Sequence, residues 1–339
     1  GYELSNTKTL LSERFGGKIF IGTFEGNYAY GTSGVRDGEI LVKGYLTTDE
    51  IPEGGTGRPA YLPSDLDISN LGEEVKIIFK DGTSGKPGTP DRNDTIYGVF
   101  TTGATTVINA TLADIGDQKS DDAKIKVGDV TYDTTDTVKV VYNYDTTTTV
   151  SPAANDGNSG KNSTLVDNYL KKANGDTVKF VCNDEGEITT AYVVNTKIAA
   201  VTAVNDEKVS MNNGVGTIDI ADNSVYEGAA RGDVVTVTTL YASDVTGDNA
   251  YTTVEKAEVI SGTVEGYKTT TADGKTSYEN VTLDGTAYTL KDKGTLLNSV
   301  PNQTVTTIFD DDDIGESFDL YMVNGYVGAA IQTSESANN

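Results

Sequence analysis

Histidine and tryptophan are absent from these 339 residues, and cysteine occurs once. Without histidine, neither a Ser-His-Asp nor a Cys-His nucleophile can be built, and every imidazole metal ligand is excluded. Cys182 alone forms no intrachain disulfide. With no second thiol or imidazole to activate it, Cys182 reads as a small buried hydrophobe in a strand. No apolar run approaches the ~18 residues that a membrane-spanning helix requires. No charged-then-apolar leader opens the chain, so Gly1 reads as either a processed or an artificially set end. Basic residues are also scarce: Lys and Arg total 26 against 51 Asp and Glu, a formal net charge of -25. Such a surface repels nucleic acid and anionic lipid, so neither a nucleic-acid partner nor membrane insertion is expected. The charge serves solubility, and a sharper reading makes it a surface that collects Ca²⁺.

What is present favours strands. Glycine reaches 37 and tyrosine 19, and threonine accounts for roughly one residue in seven. Thr, Val and Tyr suit a pleated, half-buried surface. Catalysis has little to work with. A carboxylate-pair glycosidase is conceivable, but 51 acids make any one pair uninformative, and there is no tryptophan platform for a sugar. The chain is therefore expected not to be an enzyme.

Two short phrases recur. One is a glycine, an acid, any residue, then Val or Phe entering a strand: Gly72-Glu73-Glu74-Val75, Gly175-Asp176-Thr177-Val178, Gly232-Asp233-Val234-Val235 and Gly315-Glu316-Ser317-Phe318. The other is Gly22-Thr23-Phe24-Glu25-Gly26, closely repeated as Gly262-Thr263-Val264-Glu265-Gly266. Serial reuse of a turn feeding an alternating strand marks repeated β-modules. The first phrase is expected to open the last hairpin of each module. The fold class that follows is mainly all-β: several small β-barrel or β-sandwich modules in series, with one or two short helices. The segments are 1–103, 104–195, 196–261 and 262–339, with short linkers near Gly103, Asn195-Thr196 and Ser261.

Helical turns are predicted at Thr9–Phe15 and at Ser163–Lys172, where Leu165, Tyr169 and Leu170 share a face and Asn174-Gly175 ends the run. Strands are predicted at Lys18–Phe24, Glu39–Tyr45, Val75–Phe79, Ile96–Thr101, Thr137–Tyr144, Val234–Leu240, Val254–Ile260, Thr304–Phe309 and Phe318–Val323. Hairpin turns are read at Gly128-Asp129, Asp284-Gly285 and Asn324-Gly325. Glycine and proline make loops of Gly54–Pro59 and Lys80–Asn93, and Thr146–Gly160 is read as an exposed loop. Thr137–Tyr144 and Val234–Leu240 are taken as edges through which copies could pair.

Asp310, Asp311, Asp312 and Asp313 form the densest carboxylate run, and Asp244 and Asp248 flank a second acidic turn. An EF-hand starting at Asp310 would need an oxygen ligand fifth and Glu twelfth, where Ile314 and Tyr321 stand. These six aspartates are the candidate Ca²⁺ ligands, each weighed against a plain solvated turn.

The stretch Thr9-Leu10-Leu11-Ser12-Glu13-Arg14-Phe15-Gly16-Gly17-Lys18, the Gly22–Gly26 phrase, Gly57-Arg58-Pro59 and the later Asp284-Gly285-x-x-Tyr288 resemble the region that follows the S-layer homology domains of clostridial surface proteins. The chain itself shows no S-layer homology motif. In that family those domains anchor the protein to cell-wall polysaccharide, and the remainder builds or decorates the surface. The resemblance implies no catalytic residues. With the repeats, it leads to the expectation of an extracellular structural protein on a bacterial cell surface, polymerising with itself into a layer or filament, with Ca²⁺ as the candidate stabilising ion. The alternative is a monomeric adhesin or ligand-binding stalk, recognising cell-wall polysaccharide or host glycan through the loops Gly54–Asp67, Lys80–Asn93 and Thr146–Gly160.

Overall fold

The computed structural model describes residues 16–48, 57–116, 123–152, 164–170, 173–242, 250–292 and 295–333. The fold is nearly all-β. Among the described residues the α-helix α1 (Thr164–Tyr169) has six residues, and three 3-10 turns have three each. The predicted helical turn at Thr9–Phe15 lies outside the described residues, as do Asp244 and Asp248. By contact the chain forms two compact units, residues 1–108 with 180–190, and residues 109–179 with 191–339.

The first unit carries β1 (Lys18–Asn27), β2 (Glu39–Leu46), β3 (Arg58–Pro63), β4 (Glu74–Lys80) and β5 (Thr95–Thr101), in the order β3-β2-β1-β4-β5. Alternation places Phe20, Phe24, Val42, Leu62, Val75, Ile77 and Phe79 on the inner face, all fully buried. β3 occupies part of the stretch read as a loop at Gly54–Pro59. Its two prolines, Pro59 and Pro63, are tolerated because it is an edge strand.

The long loop between β4 and β5 is held by its own acids. Asp94 accepts the N–H groups of Gly82 and Asp91 at 2.7 and 2.9 Å, and Asp91 accepts that of Asn93 at 2.7 Å. Lys18 pairs with Asp81, whose other oxygen takes the Gly88 N–H. Arg92 clamps the loop to β2 by donating Nε and Nη2 to the two oxygens of Glu39 at 2.7 and 2.9 Å. Glu39 is only 7% exposed. The Arg92 hydrogen bonds hold its carboxyl below the ordinary 4.5 despite burial. A depressed pKa contributes stability above 4.5 that is lost as pH falls through the folded-state value. Glu39→Gln is therefore expected to melt below wild type at pH 7, with the gap closing under acid. Thermal melts of both chains from pH 7 to 3 check this; a gap that stays constant would contradict it.

The second sheet comprises β6 (Val107–Thr111), β7 (Lys124–Val127), β8 (Val130–Tyr142), β9 (Thr146–Val150), β10 (Thr177–Cys182) and β11 (Ile188–Val194). Its order is β6-β10-β11-β8-β7, with β9 also on β8. β9 corrects the reading of Thr146–Gly160 as a loop: four threonines and a valine pair along Val138–Tyr142, and threonine is a good strand residue. In α1 and the residue after it, Leu165 and Leu170 are fully buried.

In the second unit, β12 (Lys197–Val204), β13 (Lys208–Met211), β14 (Gly216–Asp219), β15 (Ser224–Val225), β16 (Val234–Leu240) and β17 (Tyr251–Lys256) form a sheet ordered β14-β13-β12-β16-β17-β15. β18 (Glu258–Ala272), β19 (Lys275–Leu283), β20 (Thr286–Thr289), β21 (Ser317–Val323) and β22 (Tyr326–Gln332) form another, ordered β20-β19-β18-β21-β22. The strand predicted at Val254–Ile260 is two strands of different sheets, broken at buried Ala257, whose N–H goes to Val234 O. The linker predicted at Ser261 accordingly lies inside β18. The stretch Thr304–Phe309, predicted as a strand, makes only an isolated bridge, Val305 to Ile331. It runs along β22 with Thr306 N–H to Ala330 O, and the earlier Leu297 donates to Gly328 O. After β20, Leu290 bridges Val327, so this sheet curls until its two edges meet. Val264, Leu283, Phe309, Phe318, Leu320 and Val327 fill it.

β12 is covered on both faces. Ile198 and Ala200 pack with Val323, Ala329 and Ile331 of the fourth sheet, while Ala199 and Val201 pack with Val209, Val235 and Val237. This explains the unbroken apolar run Ile198–Val201.

All four copies of the glycine-acid phrase make one backbone device. The acid's N–H donates to the carbonyl three residues back: Glu73 to Asn70, Asp176 to Ala173, Asp233 to Ala230 and Glu316 to Asp313, at 3.0–3.2 Å. The glycine φ values are +82°, +86°, +96° and +91°. Leu71 (φ -54°, ψ 134°) and Ile314 (φ -69°, ψ 123°), which precede two of these glycines, complete type II turns. Glycine is needed because an L side chain resists positive φ. Three of the turns then clasp a neighbouring strand, while at the second Asp176 O accepts the Leu112 N–H. Gly72 N–H and Glu73 O exchange bonds with Phe24; Gly232 and Asp233 do so with Val201; Gly315 and Glu316 do so with Val264. Phe24 and Val264 are the middle residues of the two Gly-Thr-x-Glu-Gly phrases, so the recurring phrases are each other's partners. Register slips just past each clasp, at Glu25, Thr202 and Glu265, as a β-bulge.

Candidate interaction face

The predicted Ca²⁺ ligands Asp310–Asp313 fold as a capped 3-10 turn. Asp310 accepts the Asp312 N–H and Asp313 accepts the Asp310 N–H, both at 2.9 Å, while Asp311 accepts the Tyr267 hydroxyl at 3.0 Å. Burial, reinforced by the charges of Asp310, Asp312 and Glu316, pushes the Asp313 carboxyl up. The same capping recurs at Asp67–Asn70 and Thr111–Asp114. Among the described residues, no group of three or more acidic or thiol side chains is placed to hold a metal ion. Short acidic turns that bond their own backbone account for much of the carboxylate content.

One such acid joins a three-residue network. Asp233 accepts the Tyr226 hydroxyl at 2.6 Å and the Ala230 N–H at 2.9 Å, and Lys256 lies 3.7 Å away. Burial raises the Asp233 carboxyl, but these contacts outweigh it and its pKa falls below the ordinary value. Burial and Asp233 push the Tyr226 phenol up. The network fixes the third clasp turn.

Neither strand proposed as an edge is one. Val234–Leu240 is β16, held between β12 and β17, and Thr137–Tyr144 falls in β8 and its following turn, with β8 held between β11 and the strands β7 and β9. β5 is an edge, with no strand on its outer side among the described residues. Its sequence, Thr-Ile-Tyr-Gly-Val-Phe-Thr, contains neither charge nor proline. Edge strands are commonly guarded by lysine, proline or bulges. β5 has only a bulge, at Tyr97, where register slips against β4. Tyr97 and Phe100 are 49% and 50% exposed.

β5 borders a sheet face of unusual composition. Cross-strand partners share a face. Register pairs Ile21 with Tyr45 and Lys76, Lys76 with Phe100, Ile19 with Ile78, and Ile78 with Gly98. Tyr45, Ile21, Lys76 and Phe100 thus form one row, with Ile19, Ile78 and Gly98 beside it. The Phe100 ring lies against Gly98, where an added Cβ would meet it at 2.4 Å. The isoleucines are half-buried rather than covered. Three lysines stand on this face, Lys43, Lys76 and Lys80, beside two acids, Glu74 of the adjoining row and Glu25, which lies 4.0 Å from Lys43. An apolar face dotted with lysine stands out on a chain of net charge -25.

The second unit has a 210 Å³ cleft lined by Lys197, Lys291, Asp292, Asn213, Thr295 and Asn298, among others. Cys182 is buried, and burial pushes its thiol up. No helix among the described residues is long and apolar enough to cross a membrane. No protein-family model matches the chain, and no curated protein matches it.

Proposed function

We propose that this chain is an extracellular structural protein that assembles with itself into a layer or filament on a bacterial surface. The observation that carries the reading is the open face of the first sheet, with half-exposed aromatics and lysines on a strongly acidic chain. Small β-modules joined by backbone clasps suit a load-bearing role, since the clasps themselves are main-chain hydrogen bonds. Acidic turns already supplied with backbone donors make assembly without Ca²⁺ the simpler expectation, and Ca²⁺ an addition to it. The test is sedimentation of purified chain over rising concentration, with and without Ca²⁺. Concentration-dependent large species are expected; a monomer throughout would sink the reading.

The second reading, a monomeric adhesin or ligand-binding stalk, draws on the cleft lined by Lys197, Lys291 and Asp292, where an acidic saccharide would find two cations beside one acid. Calorimetric titration with acidic oligosaccharides, wild type against Lys197→Ala/Lys291→Ala, separates it from self-assembly.

A further inference from the structure

We propose that the lysine-dotted outer face of the first sheet receives the acidic surface of a second copy of this chain, in a head-to-tail contact that propagates. The inference rests on the self-assembly reading and specifies its geometry.

Three observations carry it. The face offers apolar area, with Phe100 and Tyr97 half-exposed beside half-buried Ile21 and Ile78. Contiguous patches of this kind mark interaction sites. The face is also locally basic. Lys76 and Lys80 have no acidic partner among the described residues, and Lys43 is 4.0 Å from Glu25. Elsewhere the chain carries roughly two acids for each base.

These charges select the occupant and the symmetry. Two such faces pressed together would set lysine against lysine, and like charges brought together at an interface are costly. A copy presenting its acidic surface meets cations instead. The contact therefore joins different surfaces of the two copies. Each bound copy still offers its own face to the next, and a heterologous contact of this type yields an open polymer or a ring rather than a closed dimer. Polymer formation should weaken as salt rises, because exposed charge pairs are screened.

The test uses the full chain and the variant Lys76→Glu/Lys80→Glu, with Phe100→Ser as a second variant that leaves charge unchanged. Both positions of the charge variant are at the surface, and matching circular dichroism melts establish that each variant folds. Light scattering reads the concentration at which polymer appears. Each variant alone is expected to need at least tenfold more protein than wild type. Labelled charge variant mixed into wild type at a few per cent is expected to join one end and shorten the polymers, because it keeps its acidic surface but has lost its receiving face. If the variants polymerise like wild type, the face is not the contact. If the labelled variant is excluded and wild-type length is unchanged, the contact is symmetric and the head-to-tail proposal fails. A wild type that never polymerises removes the self-assembly reading itself, and this inference with it.

Discussion

Phe318→Ala is expected to destabilise the second unit by about 3–5 kcal/mol, the usual range for emptying a buried aromatic site. Phe318 is fully buried. It follows the fourth clasp turn and packs edge-on against Phe309, with ring centroids 5.4 Å apart and planes at 68°. Phe309 comes from the irregular stretch that lines the fourth sheet, so one side chain secures both β21 and that stretch. The cavity would lie in a curled sheet whose edges already meet, leaving little room to collapse. Total stabilities are commonly ~5–15 kcal/mol, so the loss is a large share. Urea unfolding of the two chains measures it; a difference below ~1 kcal/mol would mean that the core can close around the gap.

The second large effect separates two costs within the repeated glycine turn. Gly175 and Gly315 have nearly equal φ, +86° and +91°. Alanine at either should cost about 1–2 kcal/mol for a left-handed backbone. At Gly315 an added Cβ meets nothing within 4 Å, whereas at Gly175 it meets Val323 O at 3.2 Å and Lys291 Cε and Val323 Cγ1 at 3.3 Å. The Asn324 amide also donates to Gly175 O at 2.7 Å, and the Asn174 amide donates to Leu290 O at 2.7 Å. Crowding of this kind adds roughly 1 kcal/mol or more. Gly175→Ala should therefore be the worse of the two by about that amount. Equal losses in parallel denaturation curves would show that backbone conformation alone sets the demand for glycine.

The repeated phrases were legible because a type II turn requires glycine at one position and favours polar residues near it. Their mutual pairing was not, since nothing local in Gly22–Gly26 points to Gly72-Glu73. The third central strand was hidden altogether. Ala200-Val201-Thr202-Ala203 makes the same clasp and bulge with no glycine and no glutamate. Backbone bonds hold it, so the side chains were free to differ. Edges were misread for a related reason. Val234–Leu240 carries a strong β pattern because it is covered by neighbours on either side, and the most convincing strands tend to be interior ones. β5 is weaker in pattern because it lies at the border.

The candidate face shows the same limit. Alternation sorted Ile19 and Ile21 from Phe20 and Phe24, but it could not say which side would be filled. The acids of Asp310–Asp313 were visible as a dense run. That they cap a turn became apparent only from the positions of the Asp310 and Asp312 N–H groups.

Electron microscopy of the concentrated full chain, with and without Ca²⁺, tests the account most directly. Self-assembly through the first sheet predicts periodic filaments or sheets whose formation Lys76→Glu/Lys80→Glu suppresses. Uniform single particles of monomer size at every concentration, in both conditions, would contradict it.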